Sequence, residues 1–161
     1  MQQADRHSSH HHQAIASAQR VLEIEASAIK KLAGMIDQSF VGAVELLDAT
    51  RNRNGRIIVS GMGKSGHIAR KIAATLASTG SPALFVHPAE ASHGDLGMVT
   101  PQDCVLALSN SGETSELADL ITYCKREKIG LIAMTSRALS ALGEQADHIL
   151  LFPAEPEACP N

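Results

Sequence analysis

Aromatic residues are scarce in this 161-residue chain: it has no tryptophan, one tyrosine and three phenylalanines. Single-stranded nucleic acids are gripped by stacking bases on aromatic rings, so this composition leaves few platforms for them. Basic charge is short as well. Lys and Arg number 14 against 17 Asp and Glu, for a net charge of -3 and a pI near 6.2. That is not the basic balance of a nucleic-acid binder. No apolar run approaches the ~20 residues of a membrane-spanning helix, and no secretory h-region opens the sequence. Cysteine is limited to Cys104, Cys124 and Cys159. An odd, unpatterned set without C-x-x-C reads as reduced thiols in a cytosolic protein, with Cys104 and Cys124 packed as small apolar residues.

What the chain does have is enough apolar material for a core: 44% hydrophobic residues against 19% charged, in a length that suits one domain. Residues 1–12 are polar and hold His7, His10, His11 and His12. Such density can bind metal, but nothing nearby would bury these side chains, and the stretch reads as a disordered tail or tag remnant. From about Ala14 the apolar spacing turns helical through Ile15, Val21, Leu22, Ile29 and Leu32. A second helix is expected from about Ser39 to Thr50, and Arg51–Gly55 is a turn-rich linker. The helical segment, 13–52, carries no chemical motif.

Beyond Gly55 the punctuation becomes regular. Strands are expected at Arg56–Ser60, Ala83–His87, Cys104–Ser109, Leu131–Thr135 and His148–Phe152. Helices fall between them at about Lys64–Ser78, from Thr114 to about Glu127, and at about Leu139–Gln145; the loop Pro88–Thr100 has room for one helical turn. Strands alternating with helices at short spacing imply crossover units and a parallel sheet. The expected fold is a three-layer α/β/α sandwich around a five-stranded parallel sheet, with its core at 55–153. Ligands of such sheets collect at the carboxyl ends of the strands, where the polar loops fall here.

The first of these loops is Ser60-Gly61-Met-Gly63-Lys64-Ser65-Gly66. A buried strand running through a tight glycine turn into a helix aims several N–H groups, and the positive end of the helix dipole, at one spot. A phosphate is the natural guest. Gly61-x-Gly63-x-x-Gly66 also matches the dinucleotide fingerprint, which keeps an NAD-binding Rossmann protein as an alternative. That fingerprint wants an acid ending the second strand, and here the strand ends Val86-His87-Pro88, with Glu90 the nearest acid. A nucleotide P-loop fails, because Ile58 stands where its first glycine belongs. The second loop, Ser109-Asn110-Ser111-Gly112-Glu113-Thr114, also follows a strand and opens a helix. Taken alone it is either a helix cap and turn or an anion cradle. Together the two loops suggest a ligand with one phosphate and several hydroxyls. A third stretch gathers His87, Glu90, His93 and Asp95 in nine residues, as metal ligands, as acid–base groups or as a plain polar surface.

Six separated motifs then agree in order and spacing: Gly-Met-Gly-Lys-Ser-Gly-His (61–67), Ala-Ser-Thr-Gly (77–80), His87-Pro88, His-Gly-Asp-Leu-Gly-Met-Val-Thr-Pro (93–101), Ser-Asn-Ser-Gly-Glu (109–113) and Glu-Ala-Cys-Pro (157–160). From about Ala14 to the last residue the chain resembles the sugar-isomerase (SIS) domain of bacterial D-arabinose-5-phosphate isomerases. The resemblance implies the SIS fold and the interconversion of D-arabinose 5-phosphate and D-ribulose 5-phosphate through an enediol, supplying the precursor of Kdo and lipopolysaccharide. It implies a cytoplasmic homotetramer that requires no cofactor, with an inhibitory or regulatory zinc contact at His87. By position, the family's catalytic groups fall on Lys64, Glu116 and Glu157. Substrate contacts fall on His93, on Gly80 and Ser81 (Thr in the family), and on the two loops, from Ser60, Gly61, Gly63 and Ser65 to Ser109–Thr114. Family members continue into a His-Pro-Gly-Gly motif, whose histidine is catalytic, and two CBS modules. Neither is present in this sequence, so the chain is expected to be an excised or truncated SIS domain. A non-catalytic phosphosugar-sensing module is the second alternative.

Overall fold

The computed structural model describes the backbone of residues 2–155, 157 and 158, and side chains from residue 13 on. The described residues fall into two compact units: one up to Met35 together with those from Pro153 on, the other Ile36–Phe152.

The first unit is built on α1 (Gln2–Ala33). Helical backbone from Gln2 corrects the expected disordered tail: residues 2–12 continue the helix. A helix already nucleated extends at low cost, one hydrogen bond per residue fixed. Its apolar residues Ile15, Leu22 and Ile29 are more than half exposed, and Lys31 Nζ pairs with Glu155 Oε1 at 2.7 Å.

The second unit runs α2 (Gln38–Asn52), β1 (Ile57–Gly61), α3 (Gly63–Ser78), β2 (Ala83–Phe85), α4 (Pro88–Ser92), a 3-10 turn (Asp95–Met98), β3 (Cys104–Leu108), a second 3-10 turn (Ser115–Leu117), α5 (Ala118–Glu127), β4 (Gly130–Thr135) and β5 (His148–Leu151). All five strands are parallel, in the order β2-β1-β3-β4-β5. Strands covered on both faces read as unbroken apolar runs, and neighbouring residues of β1, β3 and β4 do feed opposite cores. Ile58, Val105, Ala107, Leu131 and Ala133 pack with Ala91 of α4 and Leu120, Ile121 and Cys124 of α5. Ile57, Val59, Cys104, Leu106, Leu108 and Ile132 pack with Ala43 of α2 and Ala69 and Ala73 of α3. Burying a side chain such as Leu120 stabilises by about 1.5–3 kcal/mol. The three-layer sandwich of the sequence reading is therefore the observed fold. Cys104 and Cys124 are buried free thiols; Cys159 lies outside the described residues.

Two expected elements differ. Residues 139–145 form a run of turns rather than a helix. The Ser140 hydroxyl donates to Arg137 O (2.7 Å) and accepts from Gly143 N (3.2 Å), offering the backbone an alternative to helical bonding. The loop after β2 holds two short helical segments where one turn was expected.

At the amino ends of the strands, Asp103 ties β1 to β3. Its carboxylate accepts from Arg56 N (2.7 Å), Arg56 Nη2 (2.8 Å) and Thr100 N (2.8 Å). Among the described residues no helix is long and apolar enough to cross a membrane.

Candidate active site

The strand order decides where a ligand fits. From β1 the chain crosses through α3 to β2 on one side, whereas β3 lies on the other. The crossovers part there and leave a crevice beyond the carboxyl ends of β1 and β3. The two strands end in register, Gly61 beside Leu108, which brings the two polar loops side by side.

The first loop is shaped by close approach. A Cβ on Gly66 would stand 2.7 Å from Gly61 O, so only glycine lets the start of α3 lie against the end of β1. Gly63 has φ of 54°, in the left-handed region. The N-cap of α3, Met62, makes no side-chain cap bond, and the first-turn N–H groups of Gly63, Lys64 and Ser65 face the crevice end with the helix dipole behind them. Lys64 is exposed here. Ser60 is not in a position to donate to a ligand: it is fully buried, and its hydroxyl donates to Val86 O at 2.8 Å, tying β1 to the end of β2.

The second loop is a tight knot of hydroxyls. Ser109 Oγ lies 2.7 Å from Thr114 Oγ1 and accepts from Gly112 N at 3.0 Å; Ser111 Oγ accepts from Glu113 N at 3.2 Å. Gly112, at φ 69°, makes the reversal. Two of the loop's carbonyls are held by the segment after β4. Asn110 O accepts from Ser136 N (3.1 Å) and Ser136 Oγ (2.7 Å), and Gly112 O accepts from Leu142 N (3.0 Å). The Glu113 carboxylate is engaged by Ala141 N at 3.1 Å, which makes it a brace between loops.

Glu116 follows on the 3-10 turn, exposed, while its neighbour Leu117 is buried and anchors the turn. Its own backbone N–H and the Ser115 hydroxyl, 2.9 Å from Oε2, hold the carboxyl below its ordinary value. Glu116 is thus a carboxylate at neutral pH, able to accept a proton.

The histidines sit at the two ends of α4, His87 before it and His93 after it. His93 is exposed. His87 Nδ1 is buried without a hydrogen-bond partner, with the ring edge-on to Phe85 at 6.2 Å. Among the described residues no three His, Cys, Asp or Glu side chains gather into a metal-holding group, so the zinc expectation rests on His87 alone.

Two expected contacts fall elsewhere. Gly80 and Ser81 precede β2, at the opposite end of the sheet from both loops. Ser81 lines a separate cleft of about 300 Å³ with Leu47, Ile57 and Leu76. Glu157 belongs to the other unit and is exposed there. The residues that sequence reasoning missed are Thr135, Ser136 and Ser140, which brace the second loop from the end of β4. A further Ser/Thr cluster at the next strand end was the available signal.

The fold defines a doubly wound α/β domain with two Gly/Ser-rich loops at its switch point. The chain belongs to the SIS domain family, which it matches over residues 51–160. It is 53% identical over 144 residues to the arabinose 5-phosphate isomerase KdsD of Yersinia pestis, covering 89% of this chain and 43% of that protein. It is also 53% identical over 146 residues to the Pseudomonas aeruginosa protein of the same name, covering 91% and 44% respectively. The chain thus spans less than half the length of these relatives. An Escherichia coli CFT073 structure in complex with arabinose 5-phosphate superimposes with a TM-score of 0.84 at 37% identity, over 91% of this chain and 77% of that one.

Proposed function

We propose that this chain is the phosphosugar-binding and catalytic domain of an aldose–ketose isomerase that interconverts D-arabinose 5-phosphate and D-ribulose 5-phosphate. The observation that carries the reading is the pair of loops at the β1/β3 switch point, with the Glu116 carboxylate directly behind the second one. Kinship with enzymes of that name supports the choice of sugar.

In this reading the 5-phosphate takes the N–H groups and hydroxyls of the two loops. A carboxylate removes the proton from C2 of the open-chain aldose while the carbonyl oxygen at C1 gains one, giving the enediol. Return of a proton to C1 and loss of the O2 proton complete the ketose. The hydrogens only change places within one molecule, so the chemistry asks for no external oxidant. Glu116 and Glu157 are the acid–base groups, the Lys64 ammonium offsets the negative charge that develops on the oxygens, and His93 contacts the sugar. His87, whose Nδ1 is buried without a hydrogen-bond partner, would be the contact for an inhibitory zinc. The working enzyme is a cytoplasmic homotetramer in the route to Kdo and lipopolysaccharide.

The test is an isomerase assay on D-arabinose 5-phosphate that follows the ketopentose, beside calorimetry with the same sugar. Loss of a general acid–base group costs about 10²–10⁴-fold. Glu116→Gln is expected to keep the binding and lose turnover in that range. Turnover untouched by the substitution overturns the assignment of Glu116. Binding by the parent without any turnover favours a phosphosugar-sensing module instead.

A further inference from the structure

The segment after β4 is bonded to the second loop and decides how that loop is held. An anion cradle needs N–H and hydroxyl groups turned inward and carbonyl oxygens turned away, because a carbonyl dipole repels phosphate. Here two of the loop's carbonyls, those of Asn110 and Gly112, are drawn off by the end of β4 and the segment after it. Asn110 O is taken by Ser136 Oγ (2.7 Å), Ser136 N (3.1 Å) and Thr135 Oγ1 (3.2 Å), and Gly112 O by Leu142 N (3.0 Å). The segment is itself held in shape by Ser140. This side chain is 3% exposed, closes the turn from Arg137 to Gly143, and forms the floor under Gly112. A Cβ on Gly112 would overlap Ser140 Oγ and stand 2.5 Å from Ser140 Cβ. The loop is thus seated against Ser140 with no room between them.

We infer that Ser140 and Ser136 are positioning residues for phosphosugar binding: the end of β4 and the segment after it are the mould that holds two carbonyls of the Ser109–Thr114 loop and fixes the shape of that loop, without touching the ligand. This rests on the reading of that loop as the phosphate site. The mould gives the cradle a fixed shape before the ligand arrives, so binding does not spend free energy on ordering it.

Two arms test it. The first needs no ligand: amide hydrogen exchange at Gly112, Leu142 and Gly143 in Ser140→Ala, Ser136→Ala and the parent. Removing the brace is expected to raise exchange at these amides at least tenfold while core amides of β3 keep their protection. The second is calorimetry with D-arabinose 5-phosphate at a temperature where each variant is fully folded. The expected result is a Kd raised at least tenfold for Ser140→Ala and for Gly112→Ala, and raised less for Ser136→Ala, whose backbone N–H remains on Asn110 O. A merely structural Ser140 lowers the unfolding midpoint but leaves the Kd of the folded protein unmoved, and that outcome overturns the inference, as does unaltered exchange at Gly112. A parent that binds no phosphosugar removes the functional reading instead, and the exchange arm then decides whether the mould exists.

Discussion

Gly66 sets two ordinary effects against each other. It lies in the first turns of α3, and helix propensity favours alanine over glycine there by about 0.5–1 kcal/mol. Packing points the other way. The added Cβ would stand 2.7 Å from Gly61 O and 3.4 Å from the Gly61 carbonyl carbon. That oxygen belongs to the backbone of a central strand and cannot swing aside as the tip of a side chain would. To reach ordinary contact the start of α3 must retreat by about 0.7 Å. Overpacking costs about 1–3 kcal/mol, and an unyielding obstacle puts this site toward the upper end. After the propensity gain, the net loss for Gly66→Ala is about 1–2 kcal/mol. With a urea slope of about 1–3 kcal/mol per molar, the midpoint should fall by roughly 0.3–2 M. The assay is urea unfolding of parent and variant followed by circular dichroism. The same retreat carries the N–H groups of Gly63, Lys64 and Ser65 away from the crevice, so the affinity for D-arabinose 5-phosphate should fall in parallel. A midpoint equal to or above the parent's refutes the reasoning. It would mean that the close approach of α3 to β1 is slack and that propensity alone rules the site.

Asp103 supplies a pH-dependent prediction. Burial pushes its pKa up, but the Arg56 guanidinium and the N–H groups of Thr100 and Arg56 outweigh it and hold the carboxyl below its ordinary value. A depressed pKa gives stability that is complete above the unfolded value, about 3.9, and is lost as pH falls through the folded one. Asp103→Asn should therefore be less stable than the parent by about 2–3 kcal/mol at neutral pH, with the gap in urea midpoints closing in acid; a gap that stays constant from pH 7 down to about 2 would contradict the assignment. The thiols give a second check, since burial raises the Cys104 pKa and pushes that of Cys124 up to about 12. Mapped alkylation near pH 8 should leave both unmodified in the folded protein and modify both in denaturing urea, whereas rapid labelling of either in the folded state would show that its covering helix opens easily.

The parallel sheet was legible because each central strand announces itself. Ile57–Val59, Cys104–Leu108 and Leu131–Ala133 are unbroken apolar runs, as strands buried on both faces must be, and glycine or polar turns bound each one. The segment 139–145 misled for a local reason. Leu139 and Leu142 have helical spacing, but only Leu142 is buried, Leu139 being 87% exposed. The side-chain bonds of Ser140 close turns where spacing alone suggested a helix. His-rich residues 2–12 misled in the opposite sense, since polar composition argues against a packed core but not against the continuation of a helix already begun at a better sequence.

The candidate site was legible in the residues of its loops and not in how those loops are held. Gly61, Gly63 and Gly66 after one strand, and Ser109, Ser111 and Gly112 after another, can be named from the chain because glycine and serine between a strand and a helix serve either as a cap and turn or as an anion cradle. Whether such a loop is a plain cap or a cradle depends on where its carbonyls go, and no property of residues 109–114 answers that. Asn110 O is turned aside by Ser136, 26 residues further on, and Gly112 O by Leu142 N, both from the segment that follows the strand next in the sheet. Ser60 makes the same point in reverse. It stands in the motif, but the pairing of β1 with the end of β2 has already claimed its hydroxyl for Val86 O. Residue type thus nominates a ligand group, and strand order decides whether that group faces the ligand or the neighbouring strand.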